Sequence, residues 1–272
     1  MTDEASIQTL GRGIRAFLGV VSGAEDPDSS KPFPDSGLDA FLSHFVFTLQ
    51  LTTPKSNLIH ITLPVAVQTV SRSKPFIYKG SDDVAEVPLP AGCTLSNVIK
   101  ESDFPQRPDP FFTVGKQVVW LQILNLDARG ETALGPIRII LGETLKREYP
   151  DLFQPSLGVA QSLGASGFPA RLFFDPCAIV ETKIGNFRAV HGVLSYGRIN
   201  EFPPVGSAVQ TTDVIPLDTV ETLRAQAAAG TAAVASPKSP RVLALTHPVD
   251  AVLHLSGDEA FDLVNQSIDV TN

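Results

Sequence analysis

Hydrophobic and polar residues alternate along several stretches of the chain. In HFVFTLQLTT (44–53), every second residue from Phe45 to Leu51 is apolar and the residues between them are more polar. This period of two predicts a strand with one buried face. The sequence PKSN then turns the chain, and LIHITLPVAVQTV (58–70) alternates again. The two runs therefore predict a β-hairpin.

Further strands are predicted after this hairpin. VVWLQILNL (118–126) is almost continuously apolar, which is typical of a strand buried on both faces. Trp120 within it fits a core position better than a platform for a ligand. The other strand candidates are 75–79, 84–89, 117–127, 136–141, 171–174, 178–184, 187–196, 241–246 and 251–255.

Helical patterns are fewer and mostly short. Apolar residues spaced by three and four predict a helix over 5–21, and Ser36 followed by Asp39 resembles a capping box before a short helix. GETLKREYPDLF (142–153) is expected to begin with a helix. Asp218 is expected to cap a helix over 219–228, and a last helix is predicted over 258–265. The small-residue segment QPSLGVAQSLGASGFP (154–169) is predicted as a loop.

This balance of elements favours a mainly β fold, an antiparallel sandwich or barrel with a few peripheral helices, and an α+β layout is the alternative. TAAVASPKSP (231–240) has the composition of a linker. It divides the chain into a main β-rich domain with an N-terminal helix (1–230) and a C-terminal tail (241–272). The tail is too short to fold alone, so we expect it to dock on the main sheet or on a neighbouring subunit.

One segment, DPCAIVETKIGNFRAVHGVLSYG (175–197), contains an acid, a thiol and an imidazole close together. Gly185-Asn186 is a suitable two-residue hairpin loop. The resulting register places Cys177 and His191 on opposite faces of the sheet, whereas a nucleophilic dyad needs them within about 3 Å. The sequence therefore favours a hairpin over a catalytic site, with His191 as a core or interface histidine.

Other short motifs lack the context that their chemistry needs. GRGIRA (11–16) follows no strand, as a dinucleotide fingerprint would require, and the two cysteines, Cys93 and Cys177, do not have zinc-site spacing. His247 and His254 could join Asp250 in a metal site if the tail formed a hairpin, but surface histidines are the favoured interpretation. No catalytic, metal-binding or cofactor-binding residue is assigned, and no cofactor is expected.

The net charge of −8 disfavours binding to nucleic acid or to an anionic membrane surface. The local exception is SRSKPFIYKG (71–80), where cations alternate with aromatic rings. A strand with its polar side in water is the favoured interpretation there. The residues left as possible ligand or interface contacts are His191, Arg72, Lys74, Tyr78 and Trp120.

Neither a secretory signal nor an apolar run of about 18 residues occurs, so we expect a cytoplasmic location, possibly within a large assembly. The favoured function is a non-enzymatic structural or assembly subunit, such as a shell or capsid-like component. Its expected partners are copies of itself or other protein subunits. The alternatives are a β-barrel that carries a small apolar ligand, an enzyme whose site lacks a known motif, and a pore-forming or membrane-inserting protein.

Overall fold

The computed structural model describes residues 31–51, 57–80, 83–104, 112–133, 135–190, 192–211, 214–235 and 239–253. The described residues all belong to one compact unit. The helices predicted over 5–21 and 258–265 lie outside the described residues, as do His191 and His254.

The described part of the chain is built mainly from antiparallel strands, as the alternation of apolar and polar residues predicts. Two short α-helices accompany them: α1 (Gly142–Glu148) and α2 (Val220–Ala228). The strands are β1 (Gly37–Leu51), β2 (Asn57–Arg72), β3 (Phe76–Ile77), β4 (Val84–Glu86), β5 (Val98–Lys100), β6 (Gln117–Thr132), β7 (Gly135–Leu141), β8 (Ser156–Ser162), β9 (Ala170–Asp175), β10 (Ile179–Thr182), β11 (Gly185–Ala189), β12 (Ser195–Ile199), β13 (Ala208–Thr211), β14 (Ile215–Thr219) and β15 (Arg241–Leu253).

The main sheet closes into a barrel-like ring with a forked wall. One wall is formed by β15, β1, β2 and β6, which pair in that order. The opposite wall consists of two arcs, β7-β10-β11-β14 and β8-β9-β12-β13. Both arcs run from β6 to β15, because β6 pairs with β8 through its first half and with β7 through its second half. Strand β15 likewise pairs with both β13 and β14.

A bulge in the β1–β2 hairpin changes which residues face the interior of the ring. Val65 pairs with Ala128 and Gln68 pairs with Leu126, so β2 has one extra residue between these two pairs. Such an irregularity shifts the alternation of side chains along a strand. Val65 lies inward before the bulge, and Gln68 and Val70 are buried after it. A polar glutamine is thereby placed among apolar core residues.

Alternation along β6 separates two hydrophobic clusters. Val119 and Leu121 belong to the core inside the ring, whereas Val118 and Trp120 lie on the outer face. This outer cluster also contains Phe173 of β9 and is completed by residues from β3 to β5 and the turn that follows. A third cluster packs α1 and α2 against the outside of β7 and β10.

Both described α-helices lie at predicted positions, although one cap differs. Helix α2 begins after Thr219, whose hydroxyl accepts a hydrogen bond from the Thr222 amide at 3.2 Å. Thr219, rather than Asp218, is therefore the capping residue. The short helix predicted after Ser36 is absent, since β1 begins at Gly37 and Asp39 instead forms an ion pair with Arg72.

The hairpin in the 175–197 segment is present, but its register differs from the prediction. Thr182 pairs with Gly185 and Val180 with Phe187, so the two-residue loop is Lys183-Ile184. The strand predicted over 187–196 is divided into β11 and β12, which belong to different arcs. Cys177 precedes β10 and packs in the third cluster, under α1 and α2.

Strand β8 occupies part of a segment that the sequence analysis predicted as a loop. All of its residues are buried between β6 and β9. Gly158 faces the Phe174 ring so closely that a Cβ atom there would lie 2.5 Å from a ring carbon. Gly158, one of the small residues that resemble a loop in the sequence, is thus required by close packing in the sheet.

Strand β15 runs without interruption through His247, Pro248 and Asp250, where the sequence analysis predicted a turn between two strands. It pairs with β1 along most of its length. Among the described residues, neither α-helix has the length and apolar character needed to cross a bilayer.

Candidate functional site

The interior of the ring contains a cavity of about 50 Å³. Its wall is mainly apolar, with three polar residues, Gln68, Ser195 and His247, at positions contributed by three different strands. The apolar lining is formed by Phe41, Phe45, Ile123, Leu126, Leu141, Leu172, Phe174, Pro176, Pro204, Val209, Leu245 and Val249. An apolar cavity with a few converging polar groups is the usual form of a small-molecule site.

Two of the polar residues belong to one chain of hydrogen bonds. The Ser43 hydroxyl donates to Gln68 Oε1 at 3.3 Å, and His247 Nε2 lies 2.9 Å from the same hydroxyl oxygen. Because the hydroxyl gives its single proton to Gln68, it accepts a hydrogen bond from the Nε2–H group of His247. Ser43 and Gln68 are both buried, so this chain fixes the orientation of the imidazole from within the core.

The third polar residue, Ser195, has no such partner. Its side chain is 4% exposed, and its hydroxyl makes no hydrogen bond with any described residue. A buried hydroxyl without a partner costs roughly 1–3 kcal/mol. Since Ser195 begins β12 and lines the cavity, its hydroxyl is available to a molecule that enters the interior.

The environment of His247 favours the neutral imidazole. Its ring is stacked on Phe45, with ring centroids 4.4 Å apart. The pKa of His247 is lowered to about 4, mainly by burial. The nearby His44 also lowers this pKa, and its effect is larger than the opposite effect of Asp250. His44 Nδ1 is itself bound to Asp250 Oδ2 at 2.8 Å, on the more exposed side of the same strand pair.

This arrangement is better suited to binding than to nucleophilic catalysis. An activated serine needs a histidine that can take its proton, with a third group that orients the ring. Here Ser43 donates to Gln68 and accepts from His247, which is the reverse of that polarity. The carboxylate that acts electrostatically on His247, Asp250, is hydrogen-bonded to His44 instead.

The structure places Arg72 and Lys74 in different environments. Arg72 is buried, pairs with the Asp39 carboxylate, donates to the Asp35 carbonyl oxygen at 3.1 Å and lies 5.5 Å from the centre of the Phe202 ring. Its contacts hold the beginning of β1 against the end of β2. Lys74 is exposed and borders a separate surface groove.

Tyr78 and Trp120 lie together in the outer cluster. The Tyr78 hydroxyl donates to the buried Glu101 carboxylate, and Trp120 is fully buried with its ring edge against Phe104 and Phe76. The structure therefore brings these two residues together, but outside the ring. His191 lies outside the described residues.

A cluster of ion pairs on the outer surface forms a second, more open groove. Arg138 lies 2.7 Å from Asp127, 2.8 Å from Glu148 and 3.2 Å from Glu181. Burial alone would raise the pKa of Asp127, but hydrogen bonds from Arg129 and Arg138 lower it to about 2. Both guanidinium groups are thus engaged with the protein's own carboxylates, so we place the candidate site in the interior cavity.

The cysteines have the character of protonated thiols. Burial raises the pKa of both Cys93 and Cys177. The described residues include no group of three or more histidine, cysteine, aspartate or glutamate side chains arranged to hold a metal ion.

No protein-family model and no curated protein matches the chain. A solved structure does match: DynF from the dynemicin biosynthesis pathway of Micromonospora chersina, with a TM-score of 0.52 and 14% sequence identity. The match covers 85% of this chain and 87% of DynF. At this level of identity the similarity shows a common fold.

This comparison corrects the function favoured by the sequence. The expectation of a non-enzymatic structural or assembly subunit, with a shell or capsid-like role, is wrong. The chain shares its fold with a protein from a biosynthesis pathway, and the interior of that fold contains polar groups of the kind that bind a ligand. The shared fold is in better agreement with the alternative of a small-ligand carrier or an enzyme without a known motif.

Proposed function

We propose that the protein binds a small, mainly apolar molecule inside the forked ring. The observation that carries this proposal is that Ser195 lines the cavity while its buried hydroxyl has no hydrogen-bond partner among the described residues. Gln68 and His247 add further polar groups to the same apolar wall. A molecule with one polar group would satisfy Ser195 while its apolar part packs against the aromatic and aliphatic lining.

The fold comparison supports a function in which this chain binds a small molecule. DynF belongs to the dynemicin biosynthesis pathway, and both proteins use nearly their whole length to form the shared fold. We propose a corresponding place for this chain, as a protein that binds an intermediate or product of a biosynthetic reaction.

The cavity volume limits how such a molecule can be held. Pockets for drug-sized ligands measure about 300–1,000 Å³, whereas this cavity measures about 50 Å³. A slender or short ligand therefore fits best, and a larger one requires the lining side chains to move. Phe41, Phe45 and Leu245 line the cavity on the β1 and β15 side.

The test uses toluene, a small apolar probe without hydrogen-bonding groups, and ligand-detected NMR on the full chain. We expect saturable binding that weakens several-fold in Val249→Leu, because one added methylene occupies part of the cavity. Val242→Leu is the matched control: it lies on the same strand and is 6% exposed, against 5% for Val249, but it does not line the cavity.

Two results would contradict the proposal. One is the absence of saturable toluene binding to the wild-type protein. The other is an equal loss of binding in Val249→Leu and Val242→Leu, which would place the toluene outside the cavity. Circular dichroism of both variants checks that each retains the β structure.

A further inference from the structure

The chemistry of the cavity wall restricts the class of molecule that it accepts. None of the fifteen described residues that line it is lysine, arginine, aspartate or glutamate. The only titratable side chain among them is His247. A carboxylate or phosphate that entered this cavity would therefore depend on His247 for a compensating positive charge, since burying an unpaired charge is strongly unfavourable.

The surroundings of His247 prevent it from supplying that charge near neutral pH. Its Nε2 is committed to Ser43 and its ring face to Phe45. Burial holds its pKa at about 4, so the ring is neutral at pH 7. The groups that act on it electrostatically are His44 and Asp250, which bind each other at 2.8 Å.

Groups outside the cavity do not replace this missing charge. His44 and Asp250, which act electrostatically on His247, are hydrogen-bonded to each other at 2.8 Å, so His44 is not free to pair with an anion in the cavity. A carboxylate there would therefore be buried without a charged partner. A neutral ligand has no such cost, and the Ser195 hydroxyl can donate to a carbonyl oxygen or accept from a hydroxyl group.

We infer that the interior site takes a neutral, mainly apolar molecule with a hydroxyl or carbonyl group hydrogen-bonded to Ser195, and that it rejects the corresponding carboxylate. This inference rests on the proposed function, because it names the class of ligand for the same cavity. In a reaction sequence, such a molecule is formed by a step that removes or reduces a carboxyl group, or it comes from a precursor that never carried a charge.

The experiment compares 1-hexanol with hexanoate as probes, by ligand-detected NMR on the full chain at about pH 7, where a carboxylic acid with a pKa near 4 is ionised. The two probes have the same chain length and differ in the charge and oxygen content of the polar end. We expect 1-hexanol to bind at least tenfold more tightly than hexanoate. Equal binding, or tighter binding of hexanoate, would overturn the inference.

A pair of serine variants tests the position of the polar group. Ser195→Ala removes the hydroxyl from the cavity, and we expect it to weaken 1-hexanol binding roughly threefold to tenfold, as for loss of one hydrogen bond. Ser162→Ala is the control, because Ser162 is also buried with an unpartnered hydroxyl but does not line the cavity. Equal effects of the two variants on 1-hexanol binding would contradict the role of Ser195.

The outcomes separate this inference from the proposed function. If toluene binds in the cavity but 1-hexanol and hexanoate bind equally well, the ligand-binding function stands and the inference about charge falls. If neither toluene nor either hexyl probe binds, the proposed function and the inference both fall. Since removing an unpartnered buried hydroxyl does not weaken the core, Ser195→Ala is expected to fold.

Discussion

At the scale of single residues, the polar groups of the cavity wall differ from one another in how their hydrogen bonds are satisfied. Ser43, Gln68 and His247 satisfy one another, while Ser195 has no partner in the described part of the chain. Other buried hydroxyl groups, such as that of Ser162, also lack a partner among the described residues, but Ser195 lines the cavity, so its hydroxyl is the group that the proposed ligand would contact. His247 contributes a neutral ring whose protonation is opposed by its surroundings.

The lowered pKa of His247 gives the folded protein a specific pH dependence. The pKa is about 4 in the folded chain against an ordinary value of 6.5, so between these values the unfolded chain takes up a proton that folded His247 does not. Stability is therefore lost as the pH falls from 6.5 toward 4. We expect this histidine to remove on the order of 1 kcal/mol between about pH 7 and pH 5.

Urea unfolding at several pH values, with His247→Gln as the variant, measures this contribution. Glutamine stays neutral and can still donate to Ser43, so the loss of stability over this pH range should become smaller in the variant. His60→Gln, at an exposed position on β2, is the control and should retain the wild-type dependence. If the stability of His247→Gln fell with pH as steeply as that of the wild-type protein, the histidine would not be held neutral by the fold.

At the scale of elements, alternation of apolar and polar residues predicts strands well where one face is buried, as in β1 and β2, and a long apolar run predicts β6, which is buried on both faces. Strand β8 could not be predicted in this way, because its residues are small and buried on both faces. The inward position of Gln68 depends on a bulge that no local sequence pattern predicts. The position of Ser195 in the cavity wall could not be predicted either, because the strand predicted over 187–196 is in fact two strands of different arcs.

Glycine at position 158 tests whether β8 needs small residues. We expect Gly158→Ala to destabilise the protein by about 1–3 kcal/mol, as overpacked cores do, because the new methyl group would meet the Phe174 ring and nearby backbone. Gly164→Ala is the control, since the nearest described atom to a Cβ there is the Ser162 hydroxyl at 3.9 Å. Urea denaturation compares the two, and equal stabilities would refute the packing argument for β8.

At the scale of the whole molecule, the fork explains how a long chain forms one core. Strands β6 and β15 each pair with both arcs, so the two arcs share the strands at both of their ends. The same arrangement collects the cavity lining from both walls, including Phe41 of β1, Leu126 of β6 and Leu172 of β9. No single segment of sequence contains the site, which is why motif analysis does not find it.

This sharing of strands should make unfolding cooperative across both arcs. Ile139 lies in β7 of one arc, and Trp120, the single tryptophan of the chain, packs beside the other arc. Ile139→Ala should cost about 2–5 kcal/mol, as for other large-to-small core substitutions. If the arcs unfold together, the variant shifts the urea midpoint of Trp120 fluorescence as far as the midpoint of far-ultraviolet circular dichroism.

Ile184→Ala provides the matched control, because Ile184 lies in the turn of the same arc and is 55% exposed. Its two midpoints should stay close to those of the wild-type protein, since surface substitutions usually change stability by less than about 0.5 kcal/mol. Independent arcs would give a different pattern for Ile139→Ala: a biphasic circular dichroism transition with an unchanged fluorescence midpoint. A single shifted transition in both signals would mean that the forked ring is one cooperative unit, in which a ligand bound between the walls stabilises both arcs at once.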